Sequence, residues 1–449
     1  MQVVLVLGYT FLFIFIIRRM NFFSVENISP NFISLVFVLK VLAGCSLGLL
    51  YTYYYKDRTT ADTFKFFDDS KIISNQLFQY PKDFLEMLTG INGNAPNLDI
   101  YYNKMSTWLN KDVLFNDNKT IIRLNVIFNL FSIGYYYVNV VFINFISFIG
   151  LIALFKLFQF YQKDKSKELF AAVMLLPSML FWGSGLLKDG LLLFALGVLL
   201  YSFNKLVLLR EKQVQTPTRF RTSSGLPINL LAVILSGLLL IFTKLYVIIA
   251  ILPGLIALYW SKKDGWKRAL LKFTSIYLIY LIAAFNIGTV VPKYDVTDLI
   301  YWKQKNFCVQ AQLTQAKSVI QIPQLQENVF SIIQNSPHAT VNLLTRPTIT
   351  EASSPLMMMS AFENIFILLV ILVCLFSAKG IKRESAALFI FSIIFVILMF
   401  DLIGLITPIL GAMVRYKVPA LPFLMFVFIS LYDKQKFLSK WKGAKREMS

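Results

Sequence analysis

Residues 175–203 read LLPSMLFWGSGLLKDGLLLFALGVLLYSF, two apolar runs joined by the charged pair Lys188 and Asp189. Each run approaches the roughly 20 residues that a helix needs to cross a bilayer. Such runs recur along the whole chain of 449 residues, of which 57% are hydrophobic and 15% charged. A soluble domain of this length carries more charge. The sequence therefore predicts an all-α, polytopic transmembrane helical bundle that forms a single integral membrane domain over residues 1–449.

The apolar runs predict about eleven spans. The first run has no basic region before it and no small-residue cleavage site after it, so it is interpreted as a short span rather than a signal peptide. The predicted spans are residues 3–17, 32–53, 136–158, 169–185, 190–204, 227–243, 245–261, 269–287, 361–378, 386–407 and 418–432.

The net charge of +20 is distributed in a way that indicates topology. Every second connection is basic, from Arg18 and Arg19 to the tail after Lys434, whereas the loop at residues 55–123 has nine basic and nine acidic residues. By the positive-inside rule the basic connections face the cytoplasm. Two large loops, residues 55–123 and 288–360, are then extracytoplasmic, with the N-terminus outside and the C-terminus inside a bacterial plasma membrane. This topology explains the charge without a nucleic-acid partner.

The first loop combines carboxylates with amphipathic stretches. Residues 84–88 and 121–131 suit helices that lie in the membrane interface with one face in lipid. Metal chemistry has little support, because the single histidine, His338, would have to carry any His-based metal site or catalytic triad alone. A divalent metal ion remains open as a cofactor.

Acidic and basic side chains are predicted to meet at the outer face of the membrane. The carboxylates come from the first loop and the cations from the ends of later spans. Lys or Arg neutralises a lipid phosphate, a carboxylate can take the proton of an acceptor hydroxyl, and cations can stabilise a departing phosphate. Taken singly, each charge also fits snorkelling or a structural ion pair. The residues concerned are Asp57, Asp62, Asp68, Asp69, Lys188, Lys244, Glu363, Arg415 and Lys417, while Asp401 lies inside a span.

Three stretches carry a resemblance to a known family. They are ADTFKFFDD at residues 61–69, LLPSMLFWGSGLLKDG at 175–190 and RYKVPALPFL at 415–424. Together they resemble the C-type (GT-C) membrane glycosyltransferases, many-span enzymes that use polyprenyl-phosphate-linked sugars. The resemblance implies that Asp62 is the catalytic base and Asp189 a second polar residue of the active site. It also implies that Arg415 and Lys417 contact the phosphate or the sugar.

The sequence departs from the family pattern at two positions of the first motif. Thr63 replaces the usual second acid and Phe66 the usual tyrosine, and two spans rather than one precede the loop. Further candidates have alternative interpretations. Asp68 and Asp69 are a metal-binding or acceptor-binding pair, or acids at a helix start. Lys188 holds the donor phosphate or snorkels, and Arg346 with Glu351 contacts that phosphate or forms a loop ion pair.

The expected function is therefore enzymatic. The chain would transfer a sugar from a polyprenyl-phosphate donor to an extracytoplasmic glycan, lipid or protein acceptor. Membrane lipids would surround the protein. A cell-surface polysaccharide polymerase or ligase would need an arginine-rich late loop, but the only arginine in residues 288–360 is Arg346. A transporter or flippase of lipid-linked substrates would place charges along a pathway near mid-membrane, where Asp401 stands out. A structural protein would lack a clustered outer cavity.

Overall fold

The computed structural model describes residues 1–56, 58, 61–108, 117–215 and 225–447. Every regular element in these residues is a helix, and Asp57 lies outside them. The α-helices are α1 (Gln2–Arg19), α2 (Pro30–Leu49), α3 (Asp62–Ser74), α4 (Pro81–Thr89), α5 (Asp99–Tyr102), α6 (Asp117–Ser132), α7 (Tyr136–Tyr161), α8 (Ser166–Met174), α9 (Pro177–Phe181), α10 (Lys188–Gln215), α11 (Gly225–Ser261), α12 (Trp266–Val290), α13 (Val296–Leu313), α14 (Val329–Thr345), α15 (Pro355–Phe376), α16 (Ala386–Ile406), α17 (Leu410–Tyr416), α18 (Leu421–Leu431) and α19 (Lys434–Glu447).

Nine helical segments in the described ranges are long and apolar enough to cross a membrane. The all-α class is thereby confirmed and a multi-pass membrane protein is indicated, while the number of candidate spans differs from the eleven expected. The nine segments are Gln2–Arg19, Pro30–Tyr54, Tyr136–Tyr161, Lys188–Leu208, Gly225–Ser261, Trp266–Val290, Pro355–Phe376, Arg383–Ile406 and Leu410–Leu431.

Two local breaks account for the difference. The expected span at residues 169–185 is divided into α8 and α9 because Pro177 disfavours helical backbone in the residue before it. Residues 182–187 then form turns and bends up to the start of α10. The expected spans at 227–243 and 245–261 both fall within α11, whose backbone is non-helical at Lys244 (φ −151°, ψ 84°).

The chain divides into two compact units, each described separately. The first contains Met1–Leu157, Val173–Leu175 and Met179–Ile248. Among the candidate spans that begin in this unit, Tyr136–Tyr161 is the most buried: 78% of the residues in its apolar window are buried. Gly150 in α7 and Gly197 in α10 let two helix backbones approach closely, because a Cβ atom on Gly197 would clash with the carbonyl of Gly150. Small residues serve this purpose in membrane helix packing generally.

Polar side chains tie the first loop to the spans of this unit. Asn139 of α7 donates to Asn125 (3.1 Å) and Asn129 (2.9 Å) of α6, and Asn129 donates to Ser70 of α3 at 3.1 Å. The amphipathic stretches expected at residues 84–88 and 121–131 are helical, within α4 and α6. Burial raises the pKa of Tyr102 to about 12, so its hydroxyl stays protonated and donates to the Gly93 carbonyl at 2.8 Å.

The second unit contains Phe158–Ala172, Leu176–Ser178 and Ile249–Ser449. Its central element is α16, against which α12, α14 and α18 pack. Gly404 of α16 permits close contact with α14, because a Cβ atom there would clash with the Ala339 carbonyl. Phe423 packs against the rings of Phe395 (4.8 Å) and Phe158 (5.4 Å). The second loop thus contributes α14 to the core of this unit.

Candidate functional site

A buried lysine at the start of α10 is held by the first turn of α6. The Nζ atom of Lys188 lies 2.7 Å from Asp117 Oδ2 and donates a hydrogen bond to Asn118 Oδ1 at 2.8 Å. The Lys188 side chain is only 11% exposed and that of Asp117 is 37% exposed. A partly buried ion pair is screened by salt much less than a surface pair. The first large loop is therefore anchored electrostatically at the head of a span.

A second lysine approaches the same carboxylate. The Nζ atom of Lys244, at the break in α11, lies 3.7 Å from Asp117 Oδ2. Next to the break, the Thr120 hydroxyl donates to the Phe242 carbonyl at 2.9 Å. We call Lys188, Lys244, Asp117 and Asn118 the Lys188 cluster. Lysine ammonium groups gathered in this way are suited to binding a phosphate group.

Asp62 lies one helical turn before Phe66, the residue of α3 that contacts Lys188. The Lys188 ammonium is 5.6 Å from the centre of the Phe66 ring. Asp62 precedes Phe66 by four residues in the same helix, so the two side chains share one helix face. Asp62 is half-buried in the first turn of α3, where the helix dipole favours a negative charge. The carboxylate predicted to be the base is therefore about one helical turn from the residue that touches Lys188.

Asp189 is buried in the first turn of α10, directly after Lys188. The chain reaches both residues through the non-helical residues 182–187. Asn144 of α7 donates to the Ser184 carbonyl at 2.8 Å, and Lys40 of α2 donates to the Gly183 carbonyl at 2.6 Å. These contacts satisfy backbone groups that a continuous helix would have satisfied internally.

Asp68 and Asp69 have separate partners. Arg58 donates two hydrogen bonds to Asp68, at 3.0 and 2.6 Å, and both side chains are about half exposed. Asp69 is buried and accepts hydrogen bonds from the backbone N–H groups of Ser106 (2.8 Å) and Thr107 (2.9 Å), and from the Thr107 hydroxyl at 2.5 Å. The Asp69 carboxylate thus fixes the residues around 106 against α3. Their joint role in binding a metal or an acceptor stays a prediction.

In the second unit, Lys417 is buried between α17 and α18. Its ammonium donates to Asn364 Oδ1 at 2.5 Å and to the carbonyls of Leu343 (3.4 Å) and Arg346 (3.5 Å). Glu363 of α15 attracts it electrostatically, while the same carboxylate accepts a hydrogen bond from the Ser178 N–H at 2.5 Å. The end of α14, the middle of α15 and the last span therefore converge on the buried Lys417 side chain.

Arg346 and Glu351 form the pair that the sequence predicted, with Arg346 Nε 3.4 Å from Glu351 Oε1. The other oxygen of Glu351 accepts from the backbone N–H and the hydroxyl of Thr348, which closes a capping box. Arg415 is half-buried near the end of α17. Asp401, the acid expected inside a span, accepts a hydrogen bond from the Thr340 hydroxyl of α14.

The predicted site residues are divided between the two units. The first unit contains Asp62, Asp68, Asp69, Lys188 and Asp189, and the second contains Arg346, Glu351, Arg415 and Lys417. The expected meeting of the early carboxylates with the late cations stays a prediction. Within the described residues, no group of three or more His, Cys, Asp or Glu side chains is arranged to hold a metal ion.

Sequence reasoning missed three residues that the structure makes prominent. Asp117 and Asn118 contact Lys188 from 71 and 70 positions away in the chain. Local patterns do not report such pairings. Lys40 could have been found, because a lysine within the apolar run LVFVLKVLAGCSL is an ionisable residue inside a span.

No family model, no curated protein and no solved structure matches this chain.

Proposed function

We propose that this protein is a membrane glycosyltransferase that moves a sugar from a polyprenyl-phosphate donor to an acceptor hydroxyl. The observation that carries the proposal is the Lys188 cluster. Two lysines next to breaks in the helical backbone, Lys188 and Lys244, approach one carboxylate of the first loop. Asp62 lies one helical turn from the ring beside Lys188. The Lys188 cluster supplies cations for a phosphate, and Asp62 supplies a carboxylate that can accept a proton.

The two lysines of the Lys188 cluster and the acids Asp62 and Asp189 have separate tasks in the proposed reaction. Lys188 and Lys244 bind the donor phosphate and stabilise its negative charge as the bond to the sugar breaks. Asp62 takes the proton of the acceptor hydroxyl while the hydroxyl oxygen forms a bond to the anomeric carbon of the sugar. Asp189 orients the reacting groups beside Lys188. The phosphate or sugar contacts that the resemblance to C-type glycosyltransferases implies for Arg415 and Lys417 stay a prediction.

The direct test is transfer by the purified protein in nanodiscs. A panel of radiolabelled polyprenyl-phosphate sugars is supplied with glycan, lipid and peptide acceptors, with and without a divalent metal ion. The expected result is transfer of label from at least one donor, with release of polyprenyl phosphate. The absence of transfer from every donor, by protein that is folded and monodisperse, would contradict the proposal.

Transport of a lipid-linked substrate is the second candidate function. It is favoured by the buried ionisable residues within candidate spans, Lys40, Glu363 and Lys417. Among the described residues, Glu363 Oε1 has no hydrogen-bond partner. Such residues commonly mark substrate or proton pathways. Translocation of a fluorescent polyprenyl-phosphate sugar across liposomes, without any transfer to acceptor, would favour this alternative.

A further inference from the structure

Lys40 is an ionisable residue in the interior of a candidate membrane-spanning segment. It lies in α2 and is 1% exposed. Its ammonium donates to the Gly183 carbonyl at 2.6 Å and to the Ser184 hydroxyl at 3.0 Å. Within the described part of the chain, no carboxylate lies within ion-pairing distance of Lys40. A buried cation without a counter-ion is costly in a membrane, so these two contacts require an explanation.

Both acceptors belong to residues 182–187, which interrupt the helical backbone between α9 and α10. Non-helical backbone at membrane depth is tolerated only where the protein itself satisfies the exposed polar groups. Lys40 does so for the Gly183 carbonyl, and Asn144 does so for the Ser184 carbonyl at 2.8 Å. Gly44, one turn after Lys40 in α2, allows this close approach because a Cβ atom there would clash with the Ser184 carbonyl.

The interruption ends at the residues of the proposed active site. The Leu187 N–H donates to the Gly185 carbonyl at 2.7 Å, and α10 begins at the next residue, Lys188. The position of residues 183 and 184 therefore sets where α10 starts and in which direction its first side chains leave the helix. Lys188 must reach Asp117 and Asn118 from that point.

We propose that Lys40 is a positioning residue for the donor-phosphate site. It fixes residues 182–187 by donating to Gly183 and Ser184, and so directs the Lys188 ammonium to the Lys188 cluster. The inference deepens the proposed function, on which it rests for the role of Lys188. The lysine amine suits this task because its N–H groups can donate to both acceptors at once. A flexible turn could otherwise adopt several arrangements.

The first test is independent of activity. Hydrogen–deuterium exchange is measured by mass spectrometry on the full chain in nanodiscs, for wild type, Lys40→Met and the control Lys156→Met. Lys156 is a half-buried lysine in α7 whose ammonium lies 5.2 Å from the centre of the Phe22 ring. Amide hydrogen exchange in peptides covering residues 182–190 is expected to be at least about tenfold faster in Lys40→Met than in wild type. This factor corresponds to the loss of one hydrogen bond from Lys40. It should be unchanged in Lys156→Met.

A second variant keeps the test valid if Lys40→Met does not yield folded protein. The amide of Lys40→Gln can still donate to one acceptor, so exchange in the same peptides should increase by a smaller factor. Exchange at residues 182–190 that equals wild type in whichever variant folds would overturn the proposal.

The second test is a double-mutant cycle on transfer. If Lys40 acts through Lys188, then Lys40→Met should raise the donor KM in wild type but change it less than twofold in a Lys188→Met background. Independent effects that multiply would overturn the positioning role. The two hypotheses fail separately. Faster exchange at residues 182–190 in Lys40→Met would support the role of Lys40 in fixing this turn. If neither the wild type nor any variant transferred sugar, the glycosyltransferase proposal alone would be refuted.

Discussion

At the scale of the residue, the proposed mechanism assigns binding of the donor phosphate to the Lys188 ammonium. Lys188→Met keeps the length and apolar packing of the side chain but removes the charge that lies 2.7 Å from Asp117. Losing one charge-assisted hydrogen bond to phosphate should raise the donor KM by roughly 10- to 150-fold. Steady-state kinetics with varied donor lipid measures this change. Lys71→Met, which alters an exposed lysine of α3, is the matched control and should leave KM unchanged.

The same scale shows which site residues could be found from the sequence. Lys188, Asp189 and Asp62 are charges beside apolar runs, and this local contrast singled them out. Lys244 was found in the same way, but its pairing with Asp117 joins positions 127 residues apart and became known only from the structure. Such a pairing depends on how the helices fold together, which single-sequence patterns do not contain.

At the scale of the element, the contact between α7 and α10 depends on two glycines. Gly197→Ala places a methyl group against the Gly150 carbonyl, and backbone atoms cannot move aside as a side chain can. Overpacking of this kind typically costs about 1–3 kcal/mol, so the variant should unfold at a lower temperature. The protein is heated to a series of temperatures, and size-exclusion chromatography then measures how much of the monodisperse peak remains. The temperature at which half of the peak is lost should be lower for Gly197→Ala than for wild type.

Gly237→Ala provides the matched control for this prediction. Gly237 lies within α11, and a Cβ atom there would meet nothing within 4 Å. Alanine should leave the midpoint of thermal unfolding unchanged or raise it slightly, because it favours helix by up to about 1 kcal/mol over glycine. Equal midpoints for Gly197→Ala and wild type would mean that α7 and α10 do not approach as closely as described.

The elements also show what hydropathy can and cannot predict. Long apolar runs indicated the all-α class and most spans, since burying backbone in lipid leaves helix as the main solution. The same runs did not predict that residues 169–185 divide at Pro177 or that the backbone after Phe181 is not helical. Hydropathy sums over a window and ignores where the backbone turns. The interruptions at residues 182–187 and at Lys244 are nevertheless where the proposed site is built.

At the scale of the whole molecule, stability should depend on pH through Lys165. Its ammonium donates to the carbonyls of Ile429 (2.5 Å) and Ser430 (3.0 Å) near the end of α18. Burial, together with the nearby Lys379, lowers the pKa of Lys165 from the ordinary 10.5 to about 8. Between these two pH values the unfolded chain binds a proton that the folded protein lacks. The free energy of unfolding should therefore rise with pH across this window and stay flat below it.

Comparison with Lys165→Met isolates this contribution. Thermal midpoints are measured from pH 7 to pH 10 for both proteins, so that the titration of other groups cancels in the difference. The wild type should gain stability relative to the variant as the pH rises above about 8. Parallel curves would show that Lys165 has the same proton affinity in the folded and unfolded chains.

The proposed activity rests on a carboxylate of the first loop acting beside lysines at the membrane edge. The most direct measurement is sugar transfer by Asp62→Asn, compared with wild type and with Asp83→Asn. Asp83 lies in the same loop, where it accepts hydrogen bonds from Asn97 and Tyr101. Asp62→Asn should lower kcat by roughly 100-fold or more with the donor KM little changed, while Asp83→Asn transfers sugar at the wild-type rate. Undiminished transfer by Asp62→Asn would contradict the proposed mechanism.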